Sequence, residues 1–483
     1  TQVAVIGPNA EVARTLGGGS ATVFPPYTVS PLDGLRAAGL HVAHAPGVSS
    51  LQRAPQARAP WLLRPDRSGL GAELRFFTDA GELAGSELRD GGTFIWLGGF
   101  TPAGVTEPVA RLEISCVIRA TVAGTYRLGV SGLGRYRLAV DGAEVFDATL
   151  IVPEGADPGE VLMAPPQQLA PLQLAVGQSV TAVLTHDVHS SPFAGFGTLV
   201  QLSLEPPHGT DDEEIAAAAA LAAASDVAVV VVGTTAEVES EGFDRTSLAL
   251  PGRQDELVRR VIAANPRTVV VVNSGAPVLL PWAEDAAAVL LSWFGGQEFG
   301  NALADVLLGD AEPGGRLPMT WPASEEGLPS PRPADGVLDY REGLFVGYRA
   351  FDRDGREPLF PFGHGTGYTS WSYDSMTVAD GPAGLAVCVR VRNTGPRRGR
   401  EVVQVYASRP GSAVERPAKW LAGFAAVDAD PGETVEVGIL LPERVFQHWS
   451  DAGWVIEPGP FTLSAGPSSA SLPLTGSWQQ AIP

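Results

Sequence analysis

Three glutamates at alternate positions, Glu237, Glu239 and Glu241, follow closely on the apolar run Val227 to Val232, and Gly242, Phe243, Asp244 and Arg245 come next. Side chains repeat every two residues along a strand, so in an extended segment the three carboxylates would share one face. A carboxylic acid presented at a strand's end can give up and take back a proton, the work of a general acid/base. Such an acid needs a raised pKa to act near neutral pH, which an apolar neighbour such as Phe243 or a second carboxylate provides. The stretch Glu239 to Arg245 also fits a solvated acidic loop closed by an Asp244–Arg245 or a Glu241–Arg245 pair.

Other residues carry chemistry less specifically. The run Gly17-Gly18-Gly19-Ser20 has the glycines of a phosphate cradle. Its spacing in GPNAEVARTLGGGS is neither a dinucleotide fingerprint nor a P-loop, so a structural role is the stronger reading. His186-Asp187-Val188-His189 offers three side chains that ligate metals, yet a His-x-x-His at a strand-to-turn junction without further ligands reads as a polar loop. Trp96, Phe100, Phe193 and Phe196 are either core or an aromatic platform. Cys116 and Cys388 are too few and too far apart for a disulfide framework or a cysteine metal site, and both read as buried free thiols.

These residues sit on two kinds of element. Val3 to Ile6 reads as a buried strand and Leu32 to Ala38 as a short helix behind the Ser30-Pro31 start. The pattern resumes at Asp211, whose acidic start leads into the alanine-rich helix Ile215 to Ala224. It continues with strand Val227 to Val232, helix Gln254 to Ala264, strands Thr268 to Asn273 and Ala288 to Trp293, and helix Phe299 to Leu308. Strands alternating with helices predict parallel units with helices on both faces. Between these parts, Arg111 to Ala120, Gly124 to Val130, Arg135 to Val140 and Ser179 to Leu184 alternate with turn residues and predict an all-β insert. Asp141-Gly142 favours a tight primed hairpin turn there. Past the proline- and glycine-dense stretch 312–374, Ala386 to Arg392, Glu401 to Ala407, Thr434 to Leu440 and Phe461 to Ala465 predict a small β-sandwich.

Length and charge bound the class. A chain of 483 residues holds about three domains at roughly 100–200 residues each. The net charge of −21 repels phosphate backbones, which excludes nucleic acid as a natural partner, and Lys419, the only lysine, is no P-loop lysine. No apolar run is long enough to span a membrane as a helix. The opening TQVAVIGPNA is a strand and a turn rather than a leader, so the chain is expected to be part of something longer; localisation stays undetermined.

Several blocks resemble one family in the same order. VAVIGPNA, LGGGSATVFPPYTVSPLDGL, VVGTTAEVESEGFDRTSLALPGRQDELV, WFGGQEFGNALADVLLGDAEPGGRLPMTWP and EGLFVGYRAFDRDGREPLFPFGHGTGYTSWSY are similar to segments of glycoside hydrolase family 3, the retaining β-glucosidases. SGLGRYRLAVDGAEVFDA resembles a protective-antigen-type β-domain, and NTGPRRGREVVQVYAS resembles the fibronectin type III-like domain that ends many family 3 chains. The resemblance implies a multidomain α/β plus all-β fold. An α/β sandwich (1–52 and 206–330) is interrupted by a β-sandwich-like insert (53–205), and a wrapping linker (331–374) leads to a fibronectin type III-like β-sandwich (375–483).

Retaining hydrolysis uses two carboxyl groups about 5–5.5 Å apart. The resemblance implies Glu241 as general acid/base, four residues before Arg245, with Glu239 as its rival and Asp244 and Arg245 holding the loop. It also puts the glycine-rich loop at the edge of the site and the nucleophile on a (β/α)8 barrel that this chain lacks, in the same or another chain. A β-glycoside substrate is implied, no metal or cofactor is, and a homo-oligomer is compatible with it. The aromatic residues of the insert would then line an aglycone platform. An alternative without catalysis is a carbohydrate-binding or scaffold protein.

Overall fold

The computed structural model describes all residues except 13, 20–22, 24, 52, 101, 157–160, 162–163, 193–194, 196, 242–243, 382–383, 452 and 480–483. Two compact units account for the chain, one of 1–26, 43–246 and 251–275, the other of 27–42, 247–250 and 276–483.

In the first unit, strands Gln2–Ile6, Val227–Gly233 and Thr268–Asn273 pair in parallel, in register Val3 with Val227 and Val229 with Val269. Val229 to Val232 are all buried, as befits strands covered on both faces. Helix Asp211–Ala223 starts on a capping box in which Thr210 accepts from Glu213 N and the Glu213 side chain reaches back to the cap. Four acidic residues in its first turn complement the positive end of the helix dipole. Helix Gln254–Ala264 follows, and Asn265 behind it donates to the Ala222 and Ser225 carbonyls, both at 2.9 Å, tying the two helices' ends together.

The all-β insert of the same unit is a two-sheet sandwich. One sheet runs in the order Ala143–Leu150, Gly134–Val140, Ser179–Asp187, Arg111–Arg119, Ala72–Phe77, Leu83–Arg89, with Leu62–Leu63 beside Arg111–Arg119. The other is Gln167–Leu174, Gly124–Gly132, Gly197–Glu205, Thr93–Leu97. Alternate residues Leu112, Ile114, Cys116 and Ile118 face Tyr126, Leu128, Val130, Val200 and Leu202 across one core. Each such large apolar side chain, fully buried, contributes about 1.5–3 kcal/mol. The expected hairpin turn is present, with φ of 48° at Asp141 and 81° at Gly142.

In the second unit, helices Pro31–Ala37 and Phe299–Leu308 cross at Gly34 and Gly300, so closely that a Cβ on Gly34 would lie 2.1 Å from the Gly300 carbonyl oxygen. The stretch read as linker contains a further helix, Tyr348–Asp354, which the proline and glycine density hides. The fibronectin-like sandwich sets Trp371–Gly381, Gly384–Asn393 and Thr434–Leu441 against Trp420–Ala429, Gly399–Ser408, Phe461–Gly466 and Leu474–Trp478. The proline- and glycine-dense stretch 312–374 is pinned to this sandwich by Glu312, which accepts from Arg400 N at 2.7 Å and, within the stretch, from Tyr368 N at 2.9 Å, and by Asp352, which accepts from Lys419 Nζ at 2.6 Å. No helix among the described residues is long and apolar enough to cross a membrane.

Candidate functional site

The three parallel strands of the first unit end side by side, and each passes at its carboxyl end into a loop. One connection leads from Gly7 through the short helix Pro8–Glu11 to Arg14 and on to Gly17, Gly18 and Gly19, the second begins at Thr234 and carries Glu237, Glu239 and Glu241, and the third begins with Ser274 and Gly275. The crevice beyond the carboxyl ends of the strands is where open α/β sheets bind ligands.

The expectation of an extended face for Glu237, Glu239 and Glu241 is corrected by the backbone. The ladder stops at Gly233, whose N–H and carbonyl are both taken by the Gln254 side chain at 2.9 Å. The chain then turns, with Val238 N and Glu239 N both donating to the Thr235 carbonyl at 3.2 and 3.0 Å. A turn sends successive side chains in different directions, so the three carboxylates part. Glu237 accepts from Arg53 N at 3.1 Å, at the start of the insert. Glu239, half-buried, accepts from Thr234 Oγ1 and from Gly275 N at 3.2 Å. Glu241 is exposed at the tip and lies against Gly19: a Cβ added to that glycine would be 2.4 Å from Glu241 Cβ and 2.5 Å from its Oε2. Gly18 stands the same way to Ser240, with 2.6 Å to its Oγ. The triglycine loop thus packs on the glutamate turn. Asp244 is exposed and Arg245 half-buried; Phe243, expected to be the apolar neighbour, lies outside the described residues, as does Ser20.

Arg14 is the residue that sequence reasoning missed. Its Nη1 donates to the carbonyls of Thr235 at 2.8 Å and Glu239 at 2.7 Å, and its Nη2 to those of Gly17 and Leu16. Burial pushes the guanidinium's pKa down, and the Glu239 carboxylate offsets part of that. Asn273 brackets the Arg14 backbone, accepting from its N at 2.8 Å and donating to its carbonyl at 2.9 Å, and Asn9 donates to the same Asn273 at 3.1 Å. An arginine three residues ahead of a glycine run was the available signal, but nothing in the sequence names its partners.

The remaining candidates separate. His186 is buried, stacked on Tyr136 at 4.4 Å with Nδ1 against the Arg135 carbonyl at 3.2 Å, and burial pushes its pKa down to about 4. His189 points toward Asp79 at 3.9 Å, while Asp187 caps the His189 N–H. The four-residue motif therefore does not converge. Among the described residues no group of three or more His, Cys, Asp or Glu is placed to hold a metal. Trp96 is core rather than platform, packed on Phe76 at 6.2 Å and on the half-buried Phe100 at 4.5 Å; Phe193 and Phe196 lie outside the described residues. Cys116 is buried, its thiol pushed up to about 12, and Cys388 is only half-buried because it sits on the outward side of its strand.

Residues 1–368 match the family model of the glycosyl hydrolase family 3 C-terminal domain, and residues 401–469 that of the fibronectin type III-like domain. The chain belongs to glycosyl hydrolase family 3. A probable β-glucosidase I of Aspergillus terreus is 34% identical over 504 residues, across 99% of this chain and 59% of its own length. A β-glucosidase of Rhizobium radiobacter is 36% identical over 484 residues, across 96% of this chain and 56% of its own. The crystal structure of the β-glucosidase from Kluyveromyces marxianus in complex with glucose has a TM-score of 0.88 at 31% identity, covering 99% of this chain and 58% of that one. The chain thus spans less than three fifths of the length of these relatives.

Proposed function

We propose that this chain supplies the general acid/base, Glu241, of a retaining exo-β-glycosidase of the β-glucosidase type, while a (β/α)8 barrel supplies the nucleophile. The carrying observation is that Glu241 stands exposed at the carboxyl end of the parallel sheet, against Gly19, in a chain of family 3. Glu239, the rival, has a carboxylate oxygen already engaged by Thr234 and Gly275 and so serves the turn's own architecture. In the first step the Glu241 carboxylic acid protonates the leaving glycosidic oxygen as the nucleophile attacks the anomeric carbon; in the second its carboxylate takes a proton from the attacking water. The β-glucosidases of Rhizobium radiobacter and Kluyveromyces marxianus support a terminal β-linked glucose or a related sugar as substrate.

The same reading assigns 1–52 with 206–330 to the α/β sandwich, 331–374 to the linker and 375–483 to the fibronectin type III-like domain. The insert, 53–205, is a protective-antigen-type β-domain, supported by its two facing antiparallel sheets and the Asp141-Gly142 hairpin.

The test is the leaving-group dependence of Glu241→Ala in the enzyme completed by its barrel. A poor alkyl leaving group needs the proton, so kcat/KM falls by roughly 10²–10⁴-fold, the range of general acid–base catalysis. For a dinitrophenyl glucoside kcat/KM is far less affected, kcat falls because water is no longer activated, and azide restores kcat with β-glucosyl azide as product. Equal losses for both substrates without azide rescue remove Glu241 from the role.

A further inference from the structure

We propose that Arg14 is the positioning residue of the glutamate turn, a role that rests on the acid/base reading of Glu241. Four carbonyls from two loops converge on its one guanidinium: Thr235 and Glu239 on the turn, Leu16 and Gly17 on the glycine loop. A turn and a glycine-rich loop are the segments least able to hold a geometry by themselves, since neither has a regular ladder of backbone bonds. The guanidinium supplies five donors in a planar fork and accepts nothing, so it can serve carbonyls on both sides at once. Lysine, a point charge with three donors on a flexible stem, cannot span the two sets.

The clamp is itself held. Asn273, at the end of strand Thr268–Asn273, fixes both backbone groups of Arg14, and Asn9 fixes Asn273. The arginine is thereby referenced to the rigid sheet, and through it the two loops are as well. The clamp closes the loops on each other so tightly that a Cβ on Gly18 would fall 2.6 Å from Ser240 Oγ and one on Gly19 2.4 Å from Glu241 Cβ. A loosened clamp leaves the Glu241 carboxyl chemically intact and displaced, and a misplacement near 1 Å costs on the order of a hundredfold in rate.

The experiment compares Arg14→Met and Arg14→Lys with the unaltered enzyme, completed by its barrel, in two readouts. Hydrogen exchange in peptides covering 235–241 is expected to be about tenfold faster in both variants, with the fibronectin-like sandwich unchanged, since charge-assisted bonds to the turn are lost. In Arg14→Met, kcat/KM for an alkyl glucoside is expected to fall about tenfold to a hundredfold, and for a dinitrophenyl glucoside by less than threefold. Exchange unchanged in both variants overturns the clamp whatever Glu241 does. Faster exchange with equal kinetic losses for both substrates, in an enzyme where Glu241→Ala does discriminate, overturns the positioning role. If Glu241→Ala itself shows no discrimination, the acid/base reading fails, and Arg14 loses its catalytic meaning while the exchange result still reports the clamp. Should Arg14→Met not fold, Arg14→Lys, which keeps the charge, carries the same comparison.

Discussion

Replacing the three glycines of residues 17–19 one at a time with alanine grades the packing of the loop on Glu241. At Gly17 an added Cβ meets nothing within 4 Å, and the backbone is not in the left-handed region. Gly17→Ala is therefore expected to be neutral, within about 0.5 kcal/mol. At Gly18 the new methyl meets Ser240 Oγ at 2.6 Å, a hydroxyl that can rotate away, with Ser240 Cβ behind it at 3.4 Å. At Gly19 two costs combine. Its φ of +64° costs a residue with a Cβ roughly 1–2 kcal/mol. The methyl also meets Glu241 Cβ at 2.4 Å, and because Cβ moves only with the backbone, the turn must retreat by about 1 Å to reach ordinary contact. A displacement of that size is worth on the order of a hundredfold in kcat/KM when the moved group is the proton donor. The assay is kcat/KM for an alkyl and a dinitrophenyl β-glucoside in the barrel-completed enzyme, beside thermal unfolding of each variant. The expected order of loss for the alkyl substrate is Gly17→Ala, then Gly18→Ala, then Gly19→Ala, with only the last losing 1–2 kcal/mol of stability. A well-folded Gly19→Ala enzyme with kcat/KM within twofold of Gly17→Ala would refute the packing of Gly19 on a catalytic Glu241.

Glu239→Gln keeps the size of a side chain that serves the turn, so kcat/KM is expected to drop by the same modest factor for both leaving groups; a selective loss with the alkyl substrate would transfer the acid role to Glu239. His186 gives the insert an acid limb. Its pKa is about 4 folded against an ordinary 6.5, so the unfolded chain binds the proton more readily, and stability is complete above pH 6.5 and falls as pH drops toward 4. The loss amounts to on the order of 3 kcal/mol. In His186→Phe, which keeps the stacking on Tyr136, the fall in urea midpoint between pH 7 and 4.5 should shrink, and an unchanged slope would show that other groups set it. Arg316 and Glu401 form a nearly buried pair at 3.4 Å between the proline- and glycine-dense stretch 312–374 and the fibronectin-like sandwich. Arg316→Met strands the carboxylate, whose pKa burial already raises, and should destabilise by about 3–5 kcal/mol, whereas Arg316→Met with Glu401→Leu should recover most of it in thermal unfolding.

Much of the architecture was legible because it is written locally. Helices Gln254–Ala264 and Phe299–Leu308 and strand Thr268–Asn273 run between the expected residues, since apolar periodicity and end signals lie within the segment itself. The Asp141-Gly142 turn needs only the tolerance of those two residues for positive φ. The same local reasoning misjudged the glutamates, because three alternate carboxylates look extended until Gln254 caps Gly233 and Thr235 gathers the turn. It also left Trp96 open between core and surface, which only the facing sheet resolves. The sequence by itself determined the α/β and all-β character of the segments and the presence of acidic groups beside a strand's end. The tertiary structure alone decided that Thr234 and Gly275 draw the Glu239 carboxylate into the turn and that Arg14 binds the turn's carbonyls. Arg14 finds Thr235, Glu239 and Asn273 at 221, 225 and 259 residues' distance along the chain, and such pairings arise only when parallel strands bring their carboxyl ends together.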